Sequence, residues 1–286
     1  GVVGVILASL FIENVRERDV WPLDVKGFVL SGLGLSALIF GLTIIGRGFA
    51  PPWAVAGLIA AGAALMLAYV AHARRTPHPI IDLALLKAPT FAASVYGGYL
   101  FRLGLGAVPF LLPLMLQVGF GMNAFQSGAI TFIGAFGSML MKPTAAPILK
   151  RLGFRAVLVA NAVLSSAFFA GIGFFGPDSS MTLLMGVLLV GGFFRSLQFT
   201  ALNVIGDAAI DTQAIRRATS FASVAQQLSL ASGVALGAGV LEAMRLRHGG
   251  GALEAADFAP AFVVVALVTA SSFLIFRRLH PDAGAE

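Results

Sequence analysis

Apolar residues run through this chain in blocks of roughly 20, separated by short polar stretches rich in Lys, Arg, Pro and Gly. A helix of about 20 apolar residues crosses a bilayer core. On that ruler the blocks predict spans at 26–46, 53–72, 91–117, 126–142, 156–176, 181–205, 219–242 and 258–276. The block 91–117 is long enough to tilt, whereas 126–142 is short and invites continuation through Pro143 and Pro147. The blocks far exceed the ~10-residue alternating segments of membrane barrels. A backbone in lipid must satisfy its own hydrogen bonds, so the expected fold is all-α, a polytopic transmembrane helical bundle.

Composition sharpens that picture. Of 286 residues, 58% are hydrophobic and 11% charged, against about 45–50% and 25% in a soluble domain, and mean hydropathy is +0.92. Large side chains are mostly Phe, 24 of them against 3 Tyr and 2 Trp, so they carry no polar handle for water. A typical water-soluble enzyme is excluded. With no Cys there is neither a disulfide frame nor a thiolate metal site. The stretch Gly1–Ile12 is apolar but has no initiator Met, basic n-region or small-residue cleavage site. It is expected to be the end of a truncated span.

The net charge of +6 does not form the stripe that nucleic acid would require. Instead, 14 of the 19 Lys and Arg fall on one set of alternating loops: Arg16, Arg18, Lys26, Arg74, Arg75, Lys87, Lys142, Lys150, Arg151, Arg155, Arg216, Arg217, Arg277 and Arg278. The opposite loops hold Arg47, Arg245 and Arg247. By the positive-inside rule the first set is expected to be cytoplasmic, with the C-terminus on the same side. The Pro-bounded segment 77–90, with Asp82 and Lys87 among apolar pairs, suits a short helix in that interface. It divides a two-span section from a six-span section, and six spans make one half of several transporter folds.

Two basic residues remain, and both lie inside spans. Arg102 is about 16 Å into its helix and Arg195 is similarly central, where a guanidinium costs at least about 2.5–3.5 kcal/mol on insertion scales. The acidic residues lie near span ends, in loops or in tails. Each arginine therefore faces a cavity, with water, an anionic substrate or an acid of another segment as partner, or else it is a structural pin on carbonyl oxygens. Gln117, Gln198, Asn203, Gln226 and Gln227 add uncharged polar groups. Residues 195, 198, 199 and 202 follow helical spacing and predict one mixed polar and aromatic wall; the alternative for each amide is hydrogen bonding between helices. Gly233 and Gly237 form a GxxxG strip for close helix packing, and Pro109 and Pro113 should bend the third span. No catalytic pair, no His set at metal-ligand spacing and no GxxxxGK[ST] loop occurs. The expectation is a transported solute rather than a reaction, with no cofactor, no metal and no nucleic acid.

Several motifs, in order along the chain, resemble those of a known family. They are Asp24-Val25-Lys26-Gly27-Phe28 leading into Leu33-Gly34-Leu35 and Phe40-Gly41-Leu42, then Pro79-Ile80-Ile81-Asp82-Leu83, Leu112-Pro113-Leu114-Met115-Leu116-Gln117, and Ser127-Gly128. Met141-Lys142-Pro143, Lys150-Arg151-Leu152-Gly153-Phe154-Arg155 and the run Arg195 to Asn203 follow. Together these resemble the C-terminal portion of the 14-span drug:proton antiporters of the major facilitator superfamily, of the bacterial multidrug efflux type. The resemblance implies that 1–12 ends a truncated span, 13–76 holds a cytoplasmic loop and two linker spans, and 77–90 is an interfacial segment. It further implies a six-helix C-terminal half over 91–278 and a cytoplasmic tail over 279–286.

The family's loop motif would align with Gly137, Ala146, Lys150, Arg151, Gly153 and Arg155, so its second glycine is Ala and its acid is Lys. A gating ion pair built on that acid is not carried over. On this resemblance the chain would contribute to proton-coupled efflux of amphipathic drugs by alternating access in the inner membrane. A proton gradient would supply the energy, and the partners would be membrane lipid, a small amphipathic substrate and the N-terminal half of the same protein. Arg102, Gln117, Arg195, Gln198, Asn203 and Gln226 would line or brace the cavity. The competing reading is a permease subunit or non-transporting membrane component of a larger complex.

Overall fold

The structure, a computed structural model, describes Ser9 and residues 24–45, 49–77, 79–208, 210 and 214–284. Apart from Ser9, the block 1–12 lies outside the described residues, as do the loop residues Arg16, Arg18 and Arg47. All regular elements among the described residues are helical: α1 Val25–Ile44, α2 Pro52–Ala73, α3 Pro89–Leu114, α4 Ala124–Met141, α5 Ala145–Leu152, α6 Phe154–Gly173, α7 Met181–Asp207, α8 Ile215–Arg247, α9 Phe258–Ser271 and α10 Phe273–Phe276. Among the described residues, eight stretches are long and apolar enough to cross a bilayer, with α5 continuing α4 and α10 continuing α9. The fold is the expected all-α polytopic bundle.

Local chemistry sets the helix ends. Asp24 caps α1 by accepting the Gly27 N–H at 2.8 Å, and Pro52 and Pro89 open α2 and α3 where a missing N–H costs nothing. Asn123 and Gln126 form a reciprocal capping box at the start of α4 (3.1 and 2.9 Å). Pro109 and Pro113 lie inside α3, which loosens beyond them into a π turn over Met115–Gly119. The α4 span runs on through a 3-10 turn at Lys142–Thr144 into α5 and stops at Gly153, whose φ of 76° suits only glycine well.

Small residues let the helices approach. A methyl on Gly106 would strike the Leu230 carbonyl and one on Gly233 the Leu103 carbonyl, so α3 and α8 touch backbone to backbone. The same holds for α4 and α7, where Gly137 meets the Leu189 carbonyl and Gly192 the Gly134 carbonyl. The hairpin of α1 and α2 packs through Gly34 and Gly62 and rests on α8 through α1. Large side chains such as Phe28, Phe40, Trp53, Leu67, Phe125 and Phe132 remain exposed; a soluble domain does not carry so much apolar surface.

The end of the bundle that carries the basic loops is tied by polar contacts. His72 Nε2 lies 2.8 Å from Asp24 Oδ1, closing the α1–α2 hairpin. The Tyr69 hydroxyl accepts the Ile81 N–H at 2.7 Å and donates to the Ile81 carbonyl at 3.1 Å. Asp82 caps the 3-10 turn Leu83–Lys87 and pairs with Arg217 of α8 at 3.1 Å. Arg155 donates to the Arg277 carbonyl at 3.0 Å. Segment 77–90 thus carries a short 3-10 turn, held to α2 through Tyr69 and to α8 through Arg217.

Candidate functional site: the arginines within the bundle

Arg102 projects from α3 and is 2% exposed. Its side chain does not stay level with its Cα. It runs back along α3 toward the start of the helix, to where Nη1 donates to the carbonyl of Ser94, eight residues earlier, at 3.4 Å. Gly98, midway, leaves the groove: a methyl there would sit 2.6 Å from Nη1. Nη2 crosses to α7 and donates to Asn203 Oδ1 at 2.9 Å. The guanidinium carbon stands 5.5 Å from the centre of the Phe199 ring, within cation–π range. Ser94 adds its own bond to α7, Oγ donating to the Leu202 carbonyl at 2.7 Å. The sequence left open a charged or aqueous partner or a pin on carbonyl oxygens; the structure gives Arg102 neutral acceptors and an aromatic face. The Nε remains buried without a partner.

Arg195 is different. It lies about 20 Å from either end of α7, is half-buried, and has no hydrogen bond or ion pair with the described residues. A methyl on Gly134 of α4 would lie 3.6 Å from its Nη2, so the side chain runs along α4. Gln198, three residues on, turns to a third neighbour: it is fully buried, and its Nε2 donates to the Leu158 carbonyl of α6 at 3.1 Å. Its Oε1 is buried and unpartnered. The single wall expected of residues 195, 198, 199 and 202 therefore fans out. Arg195 faces α4, Gln198 faces α6 and Phe199 lies under Arg102 of α3, because positions three and four apart still diverge around a helix that is enclosed on several sides.

The other sequence-derived residues fall as follows. Asn203 is exposed apart from the oxygen that holds Arg102. Gln117, at the π turn, is exposed, donates to Ser127 Oγ at 3.4 Å, and lines a groove of about 420 Å³ with Pro109, Pro113 and Val234. Gln226 is half-buried on α8. Gly233 and Gly237 lie against Leu103 and Leu111 of α3. Of the loop motif, Gly137 is packed on α7 whereas Lys150 and Arg151 are exposed on α5. Gly153 ends that helix, and Arg155, in the first turn of α6, donates to the Arg277 carbonyl at the end of α10. The structure brings Arg102 and Asn203 into contact and leaves Gln117 at the opposite end of α3. Ser94 and Gly98 were missed by sequence reasoning. Their signal was present, small residues four and eight positions before an intramembrane arginine.

Fold and composition define a class, a multi-pass helical membrane protein. No family model matches the chain. It is 30% identical over 287 residues to the multidrug resistance proteins MdtD of Salmonella heidelberg and Salmonella paratyphi A, and 30% identical over 289 residues to that of Salmonella typhimurium. Each match covers 99% of this chain, which spans 60% of the length of those relatives. The likeness to these multidrug resistance proteins thus extends along the whole chain.

Proposed function

We propose that this chain is the C-terminal part of a proton-coupled exporter of amphipathic drugs in a bacterial inner membrane. It contributes one wall of a cavity that opens alternately to either side. The basic loops are cytoplasmic, and so is the C-terminus, by the positive-inside rule. The observation that carries the reading is Arg195: a cation at mid-helix, half-buried, with no acceptor among the described residues. Such a charge is costly in lipid and is ordinarily kept for a water-filled path, a ligand or a partner carboxylate. A second, N-terminal half accounts for the remaining length of the relatives and would provide that carboxylate. Arg102, by contrast, is a brace that holds α3 to α7 beside the cavity. Gradient-driven transport needs no cofactor, and the polar groups on these helices suit solute contact better than a reaction.

The test uses the full-length gene. Cells expressing it should accumulate less of a fluorescent cationic or anionic amphiphile than cells without it, and a proton uncoupler should erase the difference. Arg195→Ala, expressed at wild-type level, should reduce efflux about tenfold or more, as expected for loss of a desolvated charge contact. Wild-type efflux by Arg195→Ala would refute the placement of this residue, and efflux indifferent to the uncoupler would refute proton coupling.

A further inference from the structure

On the outer face of the bundle, near its basic end, α3 and the α9–α10 run leave a crevice of about 460 Å³ lined by Tyr96, Tyr99, Leu100, Ile275 and Arg278. Its chemistry is graded along the membrane normal. Arg278 stands two residues beyond α10, exposed, and its side chain makes no hydrogen bond or ion pair among the described residues. Tyr96, about 10 Å along α3 from Pro89, is 54% exposed, and its hydroxyl makes no hydrogen bond among the described residues. The Tyr99 hydroxyl is engaged by Ser232 Oγ at 2.7 Å, so this ring offers only its apolar body. Leu100 and Ile275 complete the apolar part. Leu267 and Leu274, which share the helical face of Arg278 by their spacing along the chain, are 66% and 48% exposed, so the surface beside the crevice is apolar and suits lipid rather than water.

We propose that this crevice binds one anionic glycerophospholipid. Its phosphate sits on the Arg278 guanidinium, its ester region lies at the Tyr96 hydroxyl, and the first segment of an acyl chain covers Leu100 and Ile275. A cation at headgroup level, an interfacial tyrosine below it and an aliphatic floor below that match the order of groups in such a lipid. The volume is that of a small-molecule site rather than of an ion. A free inorganic anion would find a single charged group among the lining residues, the exposed Arg278. The proposal rests on the membrane embedding of the chain and is independent of whether the protein exports drugs.

The full-length protein, stripped of lipid in detergent, is titrated with phosphatidylglycerol or phosphatidylcholine and its retained lipids are counted by native mass spectrometry. The wild type should retain one phosphatidylglycerol with about fivefold preference over phosphatidylcholine, the value of one interfacial basic residue. Arg278→Gln should lose that preference and Leu100→Trp, which fills the crevice, should lose the bound lipid. Arg277→Gln, whose side chain lies over the Phe273 ring outside the crevice, should bind as wild type. Inorganic phosphate should not compete. Retention of the same lipid by both Arg278→Gln and Leu100→Trp overturns the proposal, as does displacement by phosphate. Wild-type elution on size exclusion is required of each variant. Should Arg278→Gln fail it, Arg278→Lys, which keeps the charge, stands beside Leu100→Trp as the deciding pair.

Discussion

At Arg102 the cost of burying a cation is met by several weak contacts rather than one strong one. Two hydrogen bonds to neutral oxygens and an aromatic face hold the guanidinium, and Gly98 provides the groove through which it reaches them. Removing the acceptor while leaving the charge should therefore be worse than removing both. Asn203→Ala is expected to lower stability by about 1.5–3 kcal/mol, the worth of a hydrogen bond to a charged group. Arg102→Met combined with Asn203→Ala should recover part of that loss, because no unpaired charge stays buried. Thermal unfolding of the four members of this cycle in detergent gives the coupling directly. Additive losses would mean that the 2.9 Å contact carries no energy.

Among the elements, the α3–α8 contact depends on reciprocal glycines. Gly106 faces the Leu230 carbonyl and Gly233 faces the Leu103 carbonyl, so neither helix can accept a side chain without moving its partner. Lipid gives helices little hydrophobic reason to associate, and close packing has to supply the attraction. Gly233→Val should destabilise by about 1–3 kcal/mol through overpacking. Gly239→Val on the same helix, where a methyl would meet nothing within 4 Å, should leave the unfolding midpoint in place. The GxxxG spacing marked the strip in the sequence, but its partner helix was not legible. Packing of small residues against a backbone leaves no complementary pattern in the partner's side chains.

For the molecule as a whole, the basic end is where separate elements are fastened together. Asp24, His72, Tyr69, Ile81, Asp82 and Arg217 link α1, α2, the interfacial turn and α8. Burial pushes the Asp24 carboxyl up. The hydrogen bonds from His72 and from the Gly27 N–H, with the His72 charge, more than offset this and hold it below its ordinary value of 3.8. A carboxyl lowered in the folded state adds stability that is fully present above its unfolded value and fades as pH falls through the folded one. Unfolding midpoints should accordingly drop as pH is taken below about 4, and Asp24→Asn should flatten that slope. An unchanged slope in the variant would assign the acid sensitivity to other carboxylates.

The eight apolar blocks, the alternation of charge across their ends and the continuation of the fourth block through Pro143 and Pro147 were set by the sequence alone. Each follows from how one stretch of chain meets lipid, water or its own backbone. The direction in which each polar side chain turns was not. Arg195, Gln198 and Phe199 share a stretch of one helix, yet they serve three different neighbours. Arg102 finds its acceptor 101 positions away on α7. Helical periodicity specifies an angle around one axis. Only the packed bundle decides which helix stands at that angle, and so whether a buried charge meets an amide, an aromatic ring or open space.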